Sequence, residues 1–224
     1  MTPAEHVAGA RAALEAVAVP ADAGPMAAYL KDQFPFLGVK ATARRAAVRP
    51  LFAALKRAPP EEVLAVAEAC WAQAPRELHH VGADLLRRHA KRLQPEHLPR
   101  VRALIQSEAW WDTVDTLAVH VVGVMVQRHP ELVAVMDRWI DDDDKWVART
   151  AILHQLTYKA DTDEERLFRY VLRHRAATDF FLRKACGWAL RQHARQAPDA
   201  VVAFVTAHEA ELSGLTRREA TKHL

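Results

Sequence analysis

A chain of 224 residues, half of them apolar and 26 % charged, can bury a substantial core and is too hydrophobic to stay disordered. A net charge of +3 does not by itself imply a polyanionic partner, no apolar run reaches the length of a membrane span, and the N-terminus lacks a charged leader before an apolar stretch. The two cysteines, Cys70 and Cys186, lie in apolar helical patterns without metal-ligand spacing, so reduced buried thiols and a cytoplasmic setting are expected.

Residues 1–24 read as one amphipathic helix from Pro3 to Val17 followed by a loop. Val63, Leu64, Val66, Ala67 and Cys70 recur at helical spacing, as do Leu117, Val121, Val124 and Met125, then Phe181, Ala185, Trp188 and Ala189. Strand and hairpin signals are nearly absent. Pro25, Pro60, Pro75, Pro130 and Pro198 suit first turns, while Pro50 and Pro99 predict kinks or late helix starts. Asp161 and Thr178 stand before helical runs as caps, and the run Asp141–Asp144 reads as a solvated turn at a repeat edge that caps the helix holding Trp146.

The chain also repeats itself. Residues 85–91 resemble residues 189–195, an offset of 104, while Trp111 precedes Trp146 by 35 and Trp146-Val147-Ala148-Arg149 precedes Phe181-Leu182-Arg183-Lys184 by 35. The long offset is close to three short ones, which predicts an all-α, right-handed α-α superhelix of HEAT-like repeats, about twelve helices in five or six pairs, forming a single domain over 1–224. On that ruler Trp111, Arg149, Lys184 and Trp188 fall on inner helices of the array, on one concave surface with Asp115.

The run Glu108-Ala109-Trp110-Trp111-Asp112-Thr113-Val114-Asp115 is the most informative stretch. Residues four apart share a helical face, so Trp111 and Asp115 project together, whereas Trp110 aligns with the core stripe of Val114 and Leu117. An indole face beside a carboxylate suits a substrate that becomes cationic as it reacts, and it equally suits a buried tryptophan next to a capping or ion-paired aspartate. Basic residues cluster in three places: Lys40, Arg44, Arg45 and Arg49; Arg87 to Arg92; and the segment from Arg166 on, where eleven Lys and Arg face five acids. They read either as a nucleic-acid footprint or as solvated helix surface. No phosphate loop, nucleophile elbow or metal-binding histidine pair occurs.

Several segments resemble, in order, the AlkD group of alkylpurine DNA glycosylases. They are Pro25-Met26-Ala27-Ala28-Tyr29-Leu30, Phe36-Leu37-Gly38-Val39, Trp110 to Asp115, His129-Pro130-Glu131-Leu132, Arg149 to Leu153, Phe180 to Ala185, Gly187 to Arg191 and Leu215 to Ala220. The resemblance implies a HEAT-like solenoid that holds duplex DNA and excises 3-methyladenine, 7-methylguanine and, in some members, bulkier cationic adducts, with the lesion left stacked. It implies Asp115 as the catalytic carboxylate, Trp111 and Trp188 packed on the lesion's deoxyribose, Arg149 on a nearby phosphate, and Tyr29 near the lesion. Lys184, Arg44, Arg45, Arg191, Arg217 and Arg218 are expected to touch DNA. No metal or cofactor is expected, nor a membrane; the expected partner is double-stranded DNA with alkylated purines, bound by a monomer in the cytoplasm at the nucleoid. The rival expectation is a non-catalytic HEAT-like module that binds DNA or protein through the same surface.

Overall fold

The computed structural model describes residues 1–223, and among these every regular element is a helix. The chain divides into two compact units, 1–93 and 94–224, at a point where no Gly- or Ser-rich linker marks the sequence. Among the described residues no helix is long and apolar enough to cross a membrane.

The first unit holds α1 (Pro3–Glu15), α2 (Pro20–Tyr29), α3 (Ala41–Ala47), α4 (Arg49–Ala54), α5 (Pro60–Trp71) and α6 (Arg76–His89). Helix α1 starts on a reciprocal cap: the Thr2 hydroxyl accepts from the Glu5 amide, and the Glu5 carboxylate accepts from the Thr2 amide. It ends at Glu15, and the segment expected to be a loop is instead α2, with Pro20 in its first turn and Pro25 inside it. Helix α2 buries no residue fully and is tied down by its neighbours: Lys40 pairs with Asp22 at 2.8 Å, and the Val19 amide donates to Gly38. Gly38 has φ +90°, and a β-carbon there would stand 2.1 Å from the Val19 carbonyl oxygen. The loop between α2 and α3 is held from below by fully buried Glu77, whose carboxylate accepts the amides of Leu37, Gly38 and Val39 at 3.0–3.1 Å.

The second unit holds α7 (Leu98–Gln106), α8 (Trp111–Leu117), α9 (Gly123–Arg128), α10 (Val133–Trp139), α11 (Lys145–Leu153), α12 (Glu164–Arg173), α13 (Phe180–His193), α14 (Pro198–Ala207) and α15 (Gly214–Ala220). Helices α8, α11, α13 and α15 pack in series, and α7, α10, α12 and α14 back them one by one, the two-layer arrangement of an α-α repeat array. The 35-residue period is visible as bonds between successive repeats: Asp115 with Arg149, Gly123 with Tyr158, Lys145 with Asp179, and Lys184 with Glu219. The 104-residue offset maps the end of α6 at His89 onto the end of α13 at His193.

Among the described residues there are fifteen α-helical segments against the expected about twelve: α2 occupies the segment expected to be a loop, α3 and α4 meet at Val48, and a π-helical turn, Ala118–Val122, interrupts one continuous run over 111–128. Pro50 and Pro99 sit at the first turns of α4 and α7, the late starts their chemistry predicts. The caps of α12 and α13 are Asp163 and Asp179 rather than Asp161 and Thr178. Asp144 caps α11 by accepting from the Trp146 amide, as expected, but the acidic run is not merely solvated: Asp142 pairs with Arg102 at 2.6 Å, Asp144 accepts from Gln106, and Asp141 pairs with Arg173. Both cysteine thiols are buried and unpaired to each other, and burial pushes each up to about 12.

Candidate active site

Trp110 has an extended backbone and caps α8 from outside, so Trp111 opens the helix and Asp115 follows one turn later on the same face. Trp110 itself faces inward, its ring centroid 5.1 Å from Phe181 and 5.8 Å from Trp146. This aromatic cluster fixes the entry angle of α8 against α11 and α13. Its Nε1 is buried without a hydrogen-bond partner among the described residues.

Asp115 and Trp111 line a cleft of about 430 Å³ together with Asp112, Thr116, Val119, His120, Leu156, Thr157, Trp188 and Gln192. Trp188 and Gln192 are one turn apart on α13, so the cleft has an indole from each of two helices and a carboxylate between them in sequence register. The Asp115 side chain is 15 % exposed, enough to present an oxygen to the cleft while its other side is enclosed.

Behind Asp115 stands Arg149 on α11, a helix with every residue from Trp146 to Leu153 buried. Its Nε donates to Asp115 Oδ1 at 2.7 Å and its Nη2 to Oδ2 at 2.8 Å, while Nη1 donates to the Phe181 carbonyl. At 3 % exposure the guanidinium has no open face for a phosphate. Its planar fork is engaged in orienting and balancing the carboxylate, an arrangement that favours a positioning part for Arg149 over the expected grip on a phosphate. Burial pushes the Asp115 carboxyl above the usual carboxylate range, against the pull of Arg149, with nearby Asp112 adding to the rise.

The other expected cations are distributed differently. Lys184 shares the stripe of Trp188 and Gln192 on α13 but does not line the cleft; it and Arg191 both pair with Glu219 of α15. Arg217 pairs with Glu209 at 2.6 Å, and Arg218 is exposed with no ion pair among the described residues. In the first unit, Tyr29 ends α2 and is 71 % exposed. Arg44 is buried, bonded to Asp84 at 3.1 Å and to His80 Nδ1 at 3.0 Å, so it is a strut and not an open contact; Arg45 beside it is exposed.

Sequence spacing does not mark His120, Thr157 or Gln192 as cleft residues. His120 is five positions after Asp115, which on a regular α-helix points well away from it, and the π-turn alters that register. Thr157 comes from the turn after α11. The 35-residue period gives no signal for it, since the residue one period earlier, Val122, is fully buried and does not line the cleft.

The family of DNA alkylation repair enzymes matches residues 10–224 of this chain. Among solved structures, one described as a predicted DNA alkylation repair enzyme from Enterococcus faecalis is similar, with 30 % identity, 92 % of this chain and 95 % of that chain covered, and a TM-score of 0.85. No curated protein matches. An all-helical repeat array with a paired-indole carboxylate cleft, matched over nearly its whole length, belongs to the family of DNA alkylation repair enzymes.

Proposed function

We propose that the protein is a monofunctional DNA glycosylase that hydrolyses the N-glycosidic bond of cationic alkylpurines, 3-methyladenine and 7-methylguanine first among them, in duplex DNA. What carries the reading is Asp115: a partly dry carboxylate, rigidly held by Arg149, opening on a cleft lined by Trp111 and Trp188.

An alkylated purine already bears positive charge, so cleavage releases a neutral base and needs no general acid. The charge passes to the sugar, giving an oxocarbenium-like transition state. A preorganised anion in a water-poor cleft stabilises that charge by typically about 3–4 kcal/mol, roughly two to three decades of rate. Indole faces add about 0.5–2 kcal/mol each by cation–π attraction. Arg149 moderates the negative charge but removes the reorganisation that a free carboxylate would undergo. The sum accelerates a labile lesion and leaves a neutral purine, with its far stronger glycosidic bond, intact. Lys184, Arg191, Arg217, Arg218, Arg45 and Tyr29 are proposed DNA contacts, with Lys184 and Arg191 carrying one net charge between them after Glu219 is counted.

The test is base release from methylated duplex DNA. Wild-type protein should liberate 7-methylguanine without added metal or cofactor, and Asp115→Asn should nearly abolish release while retaining DNA affinity. A protein that binds duplex DNA and releases no base would instead be the non-catalytic module.

A further inference from the structure

Gln192 lines two spaces. One is the Asp115 cleft; the other is an adjoining cavity of about 10 Å³, room for a single water, whose lining includes Leu156, which also borders the cleft, and Gln155, Thr162 and His193. His193 is buried, its Nε2 stands 2.7 Å from Glu164, and its Nδ1 has no hydrogen-bond partner among the described residues. Around the cleft, the polar side chains are unequally committed. Asp115 is held by Arg149, and the Thr116 hydroxyl donates to the Asp112 carbonyl. The Gln192 amide and the Thr157 hydroxyl make no side-chain hydrogen bond among the described residues. Thr157 is exposed on a turn, whereas Gln192 is half-buried on α13, one turn after Trp188 and on the same face.

We propose that Gln192 is a positioning residue that orients the water attacking the sugar. The proposal rests on the glycosylase reading above and gives a part to a cleft residue which that reading does not use. Loss of the purine breaks the glycosidic bond with both electrons going to the base, whose positive charge they cancel. The water oxygen then bonds to the anomeric carbon, and one of its protons leaves to solvent through the Asp115 carboxylate. A sugar cation of this kind reacts with the water already beside it, so placing that water is part of the barrier. Asp115 offers one acceptor for the water, and Gln192 Oε1 offers a second, for the proton that stays on the product hydroxyl. Two acceptors aim the remaining lone pair at carbon. A neutral amide suits the position, because a lysine or arginine there would oppose the developing sugar cation. The adjoining cavity, polar at His193 Nδ1 and at Gln192, gives that water a place to stand while DNA covers the cleft.

The experiment is single-turnover release of 7-methylguanine from methylated duplex DNA by wild type, Gln192→Met and Gln192→Glu, with affinity for undamaged duplex measured in parallel. Methionine keeps the length and the apolar stem and removes only the amide. Its rate should fall about tenfold, the worth of one hydrogen bond to the reacting water, with affinity unchanged. Glutamate keeps an acceptor oxygen at the same reach and should recover most of the rate. In dilute methanol the methionine variant should also form the methyl glycoside more often than wild type, read as the strand that hot alkali leaves intact. A methionine variant as fast as wild type overturns the proposal, as does equal methanol capture by the two proteins. So does a glutamate variant as slow as methionine, and so does a rate loss matched by a loss of affinity, which would make Gln192 a contact to DNA. A wild-type protein that releases no base sinks the glycosylase reading and this proposal together, whereas an active wild type with an unaffected methionine variant sinks the proposal alone.

Discussion

At position 115 two requirements oppose each other. A carboxylate that stabilises a sugar cation acts most strongly when dry, yet dryness favours its protonated form. The proposed role needs both, and the structure closes one side of Asp115 with a bidentate guanidinium and leaves the other on the cleft. Since burial still raises the carboxyl, kcat/KM for base release should climb with pH along an acid limb displaced upward from the ordinary value of 3.8. A limb at or below that value would mean that another group is titrating. Arg149→Ala should act on chemistry and stability together. It strands a mostly buried carboxylate, a loss of about 3–5 kcal/mol of folding free energy, and it should lower kcat far more than it weakens binding to undamaged duplex, read by urea unfolding and single-turnover release. Trp111 and Asp115 were legible because one helical turn separates them. Arg149 was legible as a site residue through its 35-residue register, but its partner was not: a sequence shows that an arginine is near a site and not whether its fork faces a phosphate or a carboxylate.

Among the elements, the run over 111–128 departs most from regularity. Gly123 follows the π-turn, and a β-carbon there would stand 2.2 Å from the His154 carbonyl oxygen. The Gly123 carbonyl in turn accepts the Tyr158 hydroxyl at 2.6 Å. The run is thus clamped to the end of α11, the helix that carries Arg149. Gly123→Ala must push the two apart, and overpacking of this kind typically costs about 1–3 kcal/mol. The expected result is a lower urea midpoint and slower base release from the same variant, because Asp115 and Arg149 separate; unchanged stability would show that the contact relaxes freely. Apolar periodicity identified this run as a helix, and the interruption escaped it because a π-turn adds no residue type of its own to the pattern. The loop held by Glu77 escaped for a related reason: its order comes from three backbone amides, which leave no mark on side-chain spacing.

For the molecule as a whole, buried histidines set the response to acid. His154 is enclosed and its pKa falls to about 4 through burial, and His89 and His174 shift the same way for the same leading reason. A lowered folded-state pKa means that the unfolded chain binds the proton first, so stability is retained above the ordinary value of 6.5 and lost as pH falls from there toward 4. At about 1.4 kcal/mol per pKa unit, His154 alone accounts for on the order of 3 kcal/mol over that window. Urea unfolding at pH 7 and pH 5 should show the drop, and equal midpoints would place these rings in a wetter setting. The all-helical repeat plan followed from a period and a scarcity of strand signals, whereas the division into two units did not, since contact density changes at Leu93 without any change in composition. The proposed function turns on whether a carboxylate at position 115 drives loss of a cationic purine. Release of 7-methylguanine from duplex DNA, followed in single turnover for wild type and Asp115→Asn at matched DNA occupancy, tests it most directly. The expected result is a loss of at least two decades in rate with affinity preserved; comparable rates for the two proteins would overturn the assignment of Asp115.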